Sequence, residues 1–169
     1  MTRLLATLAL AAALSPALRA GDDPYEADFA RTYLSVGATA ATYDAGAAPL
    51  RQGTGLFLRL GRDFSEHWTL EAGVEWMPKD SADDFVQWAA DAQLHLTRWD
   101  RADWFLAAGL GFRPEAGGRK DTASARIGLG LLYHLSETFA LRGEVRAEQE
   151  LRDGRTGCAA SLGVVLAPF

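Results

Sequence analysis

Residues 139–152 read FALRGEVRAEQELR, and their ionisable groups fall on a strict count of two: Arg142, Glu144, Arg146, Glu148, Glu150 and Arg152. A helix would scatter such a series around its axis. A strand puts every member on one face, with Phe139, Leu141, Val145, Ala147 and Leu151 on the other. Arginine and carboxylate side chains in that arrangement form forked ion pairs, so the chemistry they offer is mutual neutralisation rather than proton transfer or nucleophilic attack. Arg59, Glu71, Glu75, Asp91, Arg113 and Arg126 occupy the equivalent polar phase of other alternating segments. With Arg142, Arg146, Glu144, Glu148 and Glu150 they make five cations and six anions, a nearly balanced set. The expected arrangement is one ion-pair network centred on Arg142, Glu144, Arg146 and Glu148, each paired with an opposite charge on a neighbouring strand.

Other constellations carry less. A histidine and a serine two apart, His134 and Ser136, could serve an acyl-group hydrolase, but the alternation turns His134 inward and leaves Ser136 in a tight turn. No catalytic residue is therefore assigned. His67, His95 and His134 lack ligand spacing, and Cys158 is alone, so neither a metal site, a cofactor nor a disulfide framework is expected. Glu71 and Glu75 share a strand face and read as ion-pair partners rather than as an acid and a base. Gly109-Leu110-Gly111 and Gly128-Leu129-Gly130 sit inside strands with no Lys-Ser/Thr after them, so they read as room for large side chains such as Phe57 or Phe105, not as a phosphate loop.

The elements that position these residues are eight alternating segments, near 32–43, 54–63, 68–76, 86–96, 104–113, 124–135, 139–152 and 156–169. Turn-rich stretches at 44–53, 78–84, 114–121 and 152–156 and shorter connections at 64–67, 97–103 and 136–138 separate them. An even number of strands of about ten residues, joined antiparallel through short connections, is what a transmembrane β-barrel requires. The barrel must close, because hydrocarbon offers no partner to an open strand edge. The expected fold is all-β, a closed antiparallel eight-stranded transmembrane barrel over residues 31–169.

Residues 1–20 carry Arg3, an apolar run over 4–14, Pro16 and a small Ala20, the layout of a cleaved signal peptide. Residues 21–30, acidic and without period, read as a periplasmic lead-in. Loss of the leader removes two cations and no acid, making the chain more acidic than its formal net charge of -5, and nucleic acid is excluded as a partner.

Alternation alone leaves open which face is inside, and a secreted lipocalin-like carrier is the rival. Three features favour lipid outside. The polar face is crowded with Gly37, Gly73, Ala107, Gly109, Gly111, Gly128 and Gly130, as a narrow lumen needs. Its cations are arginines, while Lys79 and Lys120 sit in loops. Tyr33, Phe64, Trp68, Trp99, Trp104, Tyr133, Phe139 and Phe169 cluster at the end of the strands that carries both termini, an interfacial girdle, with Trp76, Trp88 and Phe112 as a sparser belt opposite.

On the strand pattern, the tight turn within YHLSETFALR (133–142) and the terminal Phe169, the chain resembles the small eight-stranded outer-membrane barrels of the OmpA transmembrane-domain type. The resemblance covers the mature chain. It implies an integral bacterial outer-membrane protein with both termini periplasmic, monomeric, surrounded by outer-membrane lipid and recognised by the barrel-assembly machinery through its C-terminal strand. The chain departs from the pattern at that strand: Pro168 precedes Phe169, and Leu162, Val164 and Leu166 are out of phase with it. The expected function is a structural envelope role with a lumen plugged by ion pairs. The alternatives are a lipid A-modifying barrel enzyme, a narrow pore and the lipocalin-like carrier.

Overall fold

A computed structural model describes residues 31–43, 51–77, 85–98, 101–114 and 121–167. The expected leader and lead-in, residues 1–30, lie outside the described residues, as do Trp99, Pro168 and Phe169. Eight strands follow one another: β1 (Thr32–Tyr43), β2 (Arg51–Asp63), β3 (Trp68–Met77), β4 (Phe85–Arg98), β5 (Ala102–Arg113), β6 (Thr122–His134), β7 (Phe139–Glu150) and β8 (Thr156–Leu166). Each pairs antiparallel with its neighbours in sequence, and β1 pairs with β8, so the sheet closes into a barrel. Gly37 sits on the closing seam, opposite Phe57 of β2 and Gly163 of β8.

The alternation that forms the strands also assigns their faces. Inward positions of β7 are buried at Arg142, Glu144, Arg146 and Glu148, whereas outward Leu141 and Val145 are exposed. The same inversion runs around the ring: Leu58, Leu110, Ile127 and Leu162 face out, while Arg59, Glu75 and Asp91 face in. A lipocalin-like carrier would show the opposite, an apolar interior beneath a charged coat.

Two kinds of connection close the strands. In the Phe64–His67 turn, the Ser65 hydroxyl accepts from the backbone N–H groups of His67 (3.3 Å) and Trp68 (3.2 Å). After β7, Gly154 takes φ 66°, a left-handed conformation open to glycine, and its N–H donates to the Glu150 carbonyl at 3.0 Å.

Several expectations need correction. Strand β2 begins at Arg51 rather than 54, and β4 runs past Leu96 to Arg98 through a register shift between His95 and Thr97. Strand β5 starts at Ala102, so Asp103 is a buried lumen residue and not part of a connection. Strand β7 ends at Glu150, which leaves Arg152 exposed in the hairpin and outside the series of inward charges. Tyr33 is buried in the lumen instead of joining the outer girdle, because its strand phase matches Ser35 and its hydroxyl finds an acceptor inside. His134 has the inward phase but lies at the very end of β6, beyond the enclosing ring, and is exposed.

Candidate functional site

The lumen is the site, and eight strands make it just wide enough for side chains to fill. In the closed ring β3 stands opposite β7, and β2 lies three strands from β7. Long side chains therefore meet across the lumen rather than between neighbours.

Its centre is a lattice of arginines and carboxylates. Arg59 of β2, 2% exposed, donates from Nη1 to Glu71 Oε1 (3.2 Å) and Glu144 Oε2 (2.7 Å) and from Nη2 to Glu75 Oε1 (2.7 Å). Arg142 grips Glu71 with both terminal nitrogens, Nη1 to Oε2 and Nη2 to Oε1 (3.1 Å), and Nη2 also reaches Glu144 Oε2 at 2.7 Å. Arg146 donates to Glu75 Oε2 at 2.6 Å, and Arg126 to Glu75 Oε1 at 3.1 Å, with Asp91 Oδ2 3.5 Å from the same nitrogen. The arginines also use their faces: the Arg59 guanidinium lies 4.7 Å from the Phe57 ring centroid and that of Arg142 lies 5.0 Å from the Phe105 centroid.

Towards the end of the barrel that carries the β7–β8 hairpin, Glu148 Oε1 accepts from Gln87 Nε2 and Ser124 Oγ, both at 2.6 Å. Arg113 sits 3.5 Å from Glu148 and donates to Glu150 at 2.9 Å. This outermost pair is partly exposed, the side chains being 21% and 15% accessible, so its energetic weight is small. Replacing Glu150 by Gln is expected to change folding stability by no more than about 1 kcal/mol. Equilibrium unfolding in detergent measures that change.

Towards the opposite end, where β1 starts and β8 stops, the lumen turns apolar. Tyr33, Phe105, Ala107, Leu132, Ala140 and Val165 pack together, and the Tyr33 hydroxyl donates to Glu71 Oε2 at 2.9 Å. Glycines make the room. A Cβ on Gly130 would overlap the Phe105 ring, and one on Gly163 would stand 2.6 Å from Phe57 Cζ. Below this layer His95 links Thr69 and Asp103.

The eleven residues expected to form the network all face inward, but their pairing differs from expectation. Arg142, Glu144 and Arg146 take partners from β2 and β3 across the lumen or from their own strand, not from neighbouring strands. Glu148 is bound mainly by the uncharged Gln87 and Ser124. The expected centre shifts accordingly towards Arg59, Glu71 and Glu75. Tyr33, Gln87, Ser124, Thr69, His95 and Asp103 also belong to the polar interior and were missed as site residues. Their inward phase was the available signal, diluted because most of them carry no charge.

Of the interface aromatics, Phe64, Trp68, Trp76, Trp104 and Tyr133 are exposed on the outside, and Phe139 is half-buried on the outward phase. Phe169 lies outside the described residues. Ser136 Oγ is 3.5 Å from Thr138 Oγ1, and no hydrogen bond joins Ser136 to His134 among the described residues. No group of three or more His, Cys, Asp or Glu suited to a metal ion occurs among the described residues.

A family profile described as the outer membrane protein beta-barrel domain matches residues 4–164. The chain belongs to this family. Three solved structures share its fold: the attachment invasion locus protein Ail of Yersinia pestis (14% identity, TM-score 0.64, 82% of this chain and 98% of that one), Neisserial surface protein A (14%, 0.65, 80% and 96%), and the N-terminal β-barrel domain of OprF from Pseudomonas aeruginosa (17%, 0.59, 81% and 99%). No match is found among the curated proteins. The closed eight-stranded barrel of this family is thus the scaffold on which the charged lumen is built.

Proposed function

We propose that the chain is an integral outer-membrane barrel with a structural role in the envelope, exported by its N-terminal leader, and that its interior ion pairs seal the lumen. The observation that carries this reading is the lattice spanning the interior from β2 and β3 to β7. Arg59, Glu71, Glu75, Arg142, Glu144 and Arg146 are all buried and joined by hydrogen bonds of ordinary length or shorter. Side chains paired across the full width of the barrel leave an ion no continuous path. The outward Leu, Val, Ile and Trp surface fits a lipid partner, and among the described residues no constellation with the geometry of an acid, a base and an accessible nucleophile argues for catalysis. Monomeric assembly and engagement of the barrel-assembly machinery through the C-terminal strand complete the proposal.

Membrane fractionation and heat-modifiable migration on detergent gels test the address and the fold, and release as a soluble monomer would defeat both. Planar-bilayer recording tests the seal. Unmodified protein is expected to give negligible steady conductance, whereas Arg146→Ala, which frees one side of Glu75, admits small leaks. Large, stable, ion-selective channels from the unmodified monomer would replace this reading with a pore.

A further inference from the structure

One hydrogen-bonded chain crosses four strands at the end of the lumen where β1 starts. Asp63 at the end of β2 accepts from the Thr69 hydroxyl of β3 (Oδ1···Oγ1 2.5 Å). Thr69 Oγ1 lies 2.8 Å from His95 Nε2 of β4, and His95 Nδ1 lies 2.7 Å from Asp103 Oδ2 of β5. Thr69 is 0% exposed, and His95 and Asp103 are each 5% exposed. Three contacts of this length require three protons between the heavy atoms, since two lone pairs facing each other at 2.8 Å repel. Threonine supplies one and a neutral imidazole supplies one. The third must come from a further proton on the cluster, and the imidazole can hold it on its second ring nitrogen so that both nitrogens donate.

We propose that the Asp63–Thr69–His95–Asp103 chain is a proton-dependent latch, complete when His95 carries both ring protons and ties β2, β3, β4 and β5 together at this mouth of the barrel. In the closed form Nδ1–H donates to Asp103, Nε2–H donates to Thr69, and the Thr69 hydroxyl donates to Asp63. Loss of one ring proton removes one of the three links, because the threonine hydroxyl then serves either Asp63 or Nε2 but not both.

The surroundings leave His95 no other ionic partner among those described. From β3, Glu71 is taken by Arg59, Arg142 and Tyr33. From β5 the Phe105 ring stands 6.1 Å away, capped by Arg142 of β7. From β1 the Tyr33 hydroxyl is 3.4 Å from Gln93 Oε1, one inward position along β4 from His95. His67, exposed in the turn, contributes only its carbonyl, which accepts from the His95 N–H at 2.8 Å. Arg62 of β2 has the outward phase, and Arg101 is exposed in the turn before β5. The β4 register shift lies immediately after His95, so the latch sits where the sheet is least regular.

The test is nitrogen NMR of the histidine rings across a pH series on the folded barrel in detergent micelles, with amide exchange followed in parallel. His67 and His134, both exposed, serve as internal references. His95 is expected to show two protonated ring nitrogens at the acid end. Its second proton should leave together with a several-fold loss of exchange protection at Thr69 and Asp103 and none at Gly128 or Val145 in mid-barrel. His95→Gln should abolish that step while the barrel remains closed, and if this variant does not fold, Asp103→Asn is read in its place. A His95 ring with a single protonated nitrogen over the whole folded range, or a mouth whose pH step persists in these variants, overturns the latch.

Discussion

Glu75→Gln is expected to destabilise the folded barrel by about 3–5 kcal/mol, the cost of leaving buried charge unpaired. Glu75 is 1% exposed and accepts hydrogen bonds from three guanidiniums, Arg59, Arg146 and Arg126. Glutamine has nearly the same volume, so what is lost is charge and not packing. Arg59 keeps Glu71 and Glu144, but among the described ion pairs Arg146 is left with only Glu144, at 3.7 Å, and Arg126 with only Asp91, at 3.5 Å. Equilibrium urea unfolding, read from the folded and unfolded bands on unheated gels, measures the cost. Glu75→Gln combined with Arg146→Met should recover a large part of the loss, because removing both partners of a buried pair costs far less than removing one. A single-variant loss below about 1 kcal/mol would mean that water screens the lumen as it does a surface pair, and the sealed-lumen reading would fall with it.

The second large effect concerns closure. Gly37→Val is expected to cost at least about 3 kcal/mol and to deplete the closed form, because the added atoms meet backbone that cannot move independently. A Cβ at Gly37 would press on the Leu162 carbonyl oxygen, with Gly163 Cα at 2.5 Å and Leu162 C at 2.8 Å, all on the strand that closes the ring. Relief requires β1 and β8 to separate, which exposes unpaired edges to hydrocarbon. Gly143→Ala provides the control, since its new methyl would meet only Leu162 Cδ2 at an ordinary 3.6 Å and should be nearly silent. Heat-modifiable migration gives the folded fraction, and amide protection at Ala38 and Leu162 reports the seam directly. A Gly37→Val barrel as stable and as protected as the unmodified protein would show that the seam is looser than this geometry.

The two predictions act at different levels. The first removes a partner from a network that already has its backbone in place, and the second prevents the backbone from assembling the network at all. Glu150→Gln marks the lower end of the same scale, because its Arg113 partner is partly exposed and retains Glu148 nearby. Burial, more than the number of partners, separates the strong from the weak.

Read from the sequence, the period of two was enough to place strands, to give all eleven charged residues of the network an inward phase and to anticipate that mid-strand Gly130 makes room for Phe105, whereas Phe57 is accommodated by Gly163 instead. Those features are local: a strand's side-chain direction follows from its own residue count and survives any error about its neighbours. Strand ends were less legible, because Arg152 continues the charge alternation after the backbone has already entered the hairpin turn at Leu151. Tyr33 misled for a related reason. An aromatic near a strand end has the same composition signal whether it anchors in the interface or buries its ring, and only the acceptor on Glu71 decides.

The sequence by itself determined which face of each strand is polar and, because hydrocarbon offers no partner to an open strand edge, that the sheet must close. The tertiary structure alone decided which charge meets which. Ring closure sets β3 opposite β7, a relation that no spacing along the chain encodes, and so Arg142 binds Glu71 and Arg146 binds Glu75, each 71 residues away. Likewise Asp63, Thr69, His95 and Asp103 become one chain of hydrogen bonds only because four successive strands end at the same mouth. Alternation fixes the direction in which a side chain points, whereas the diameter and register of the closed barrel fix what it reaches.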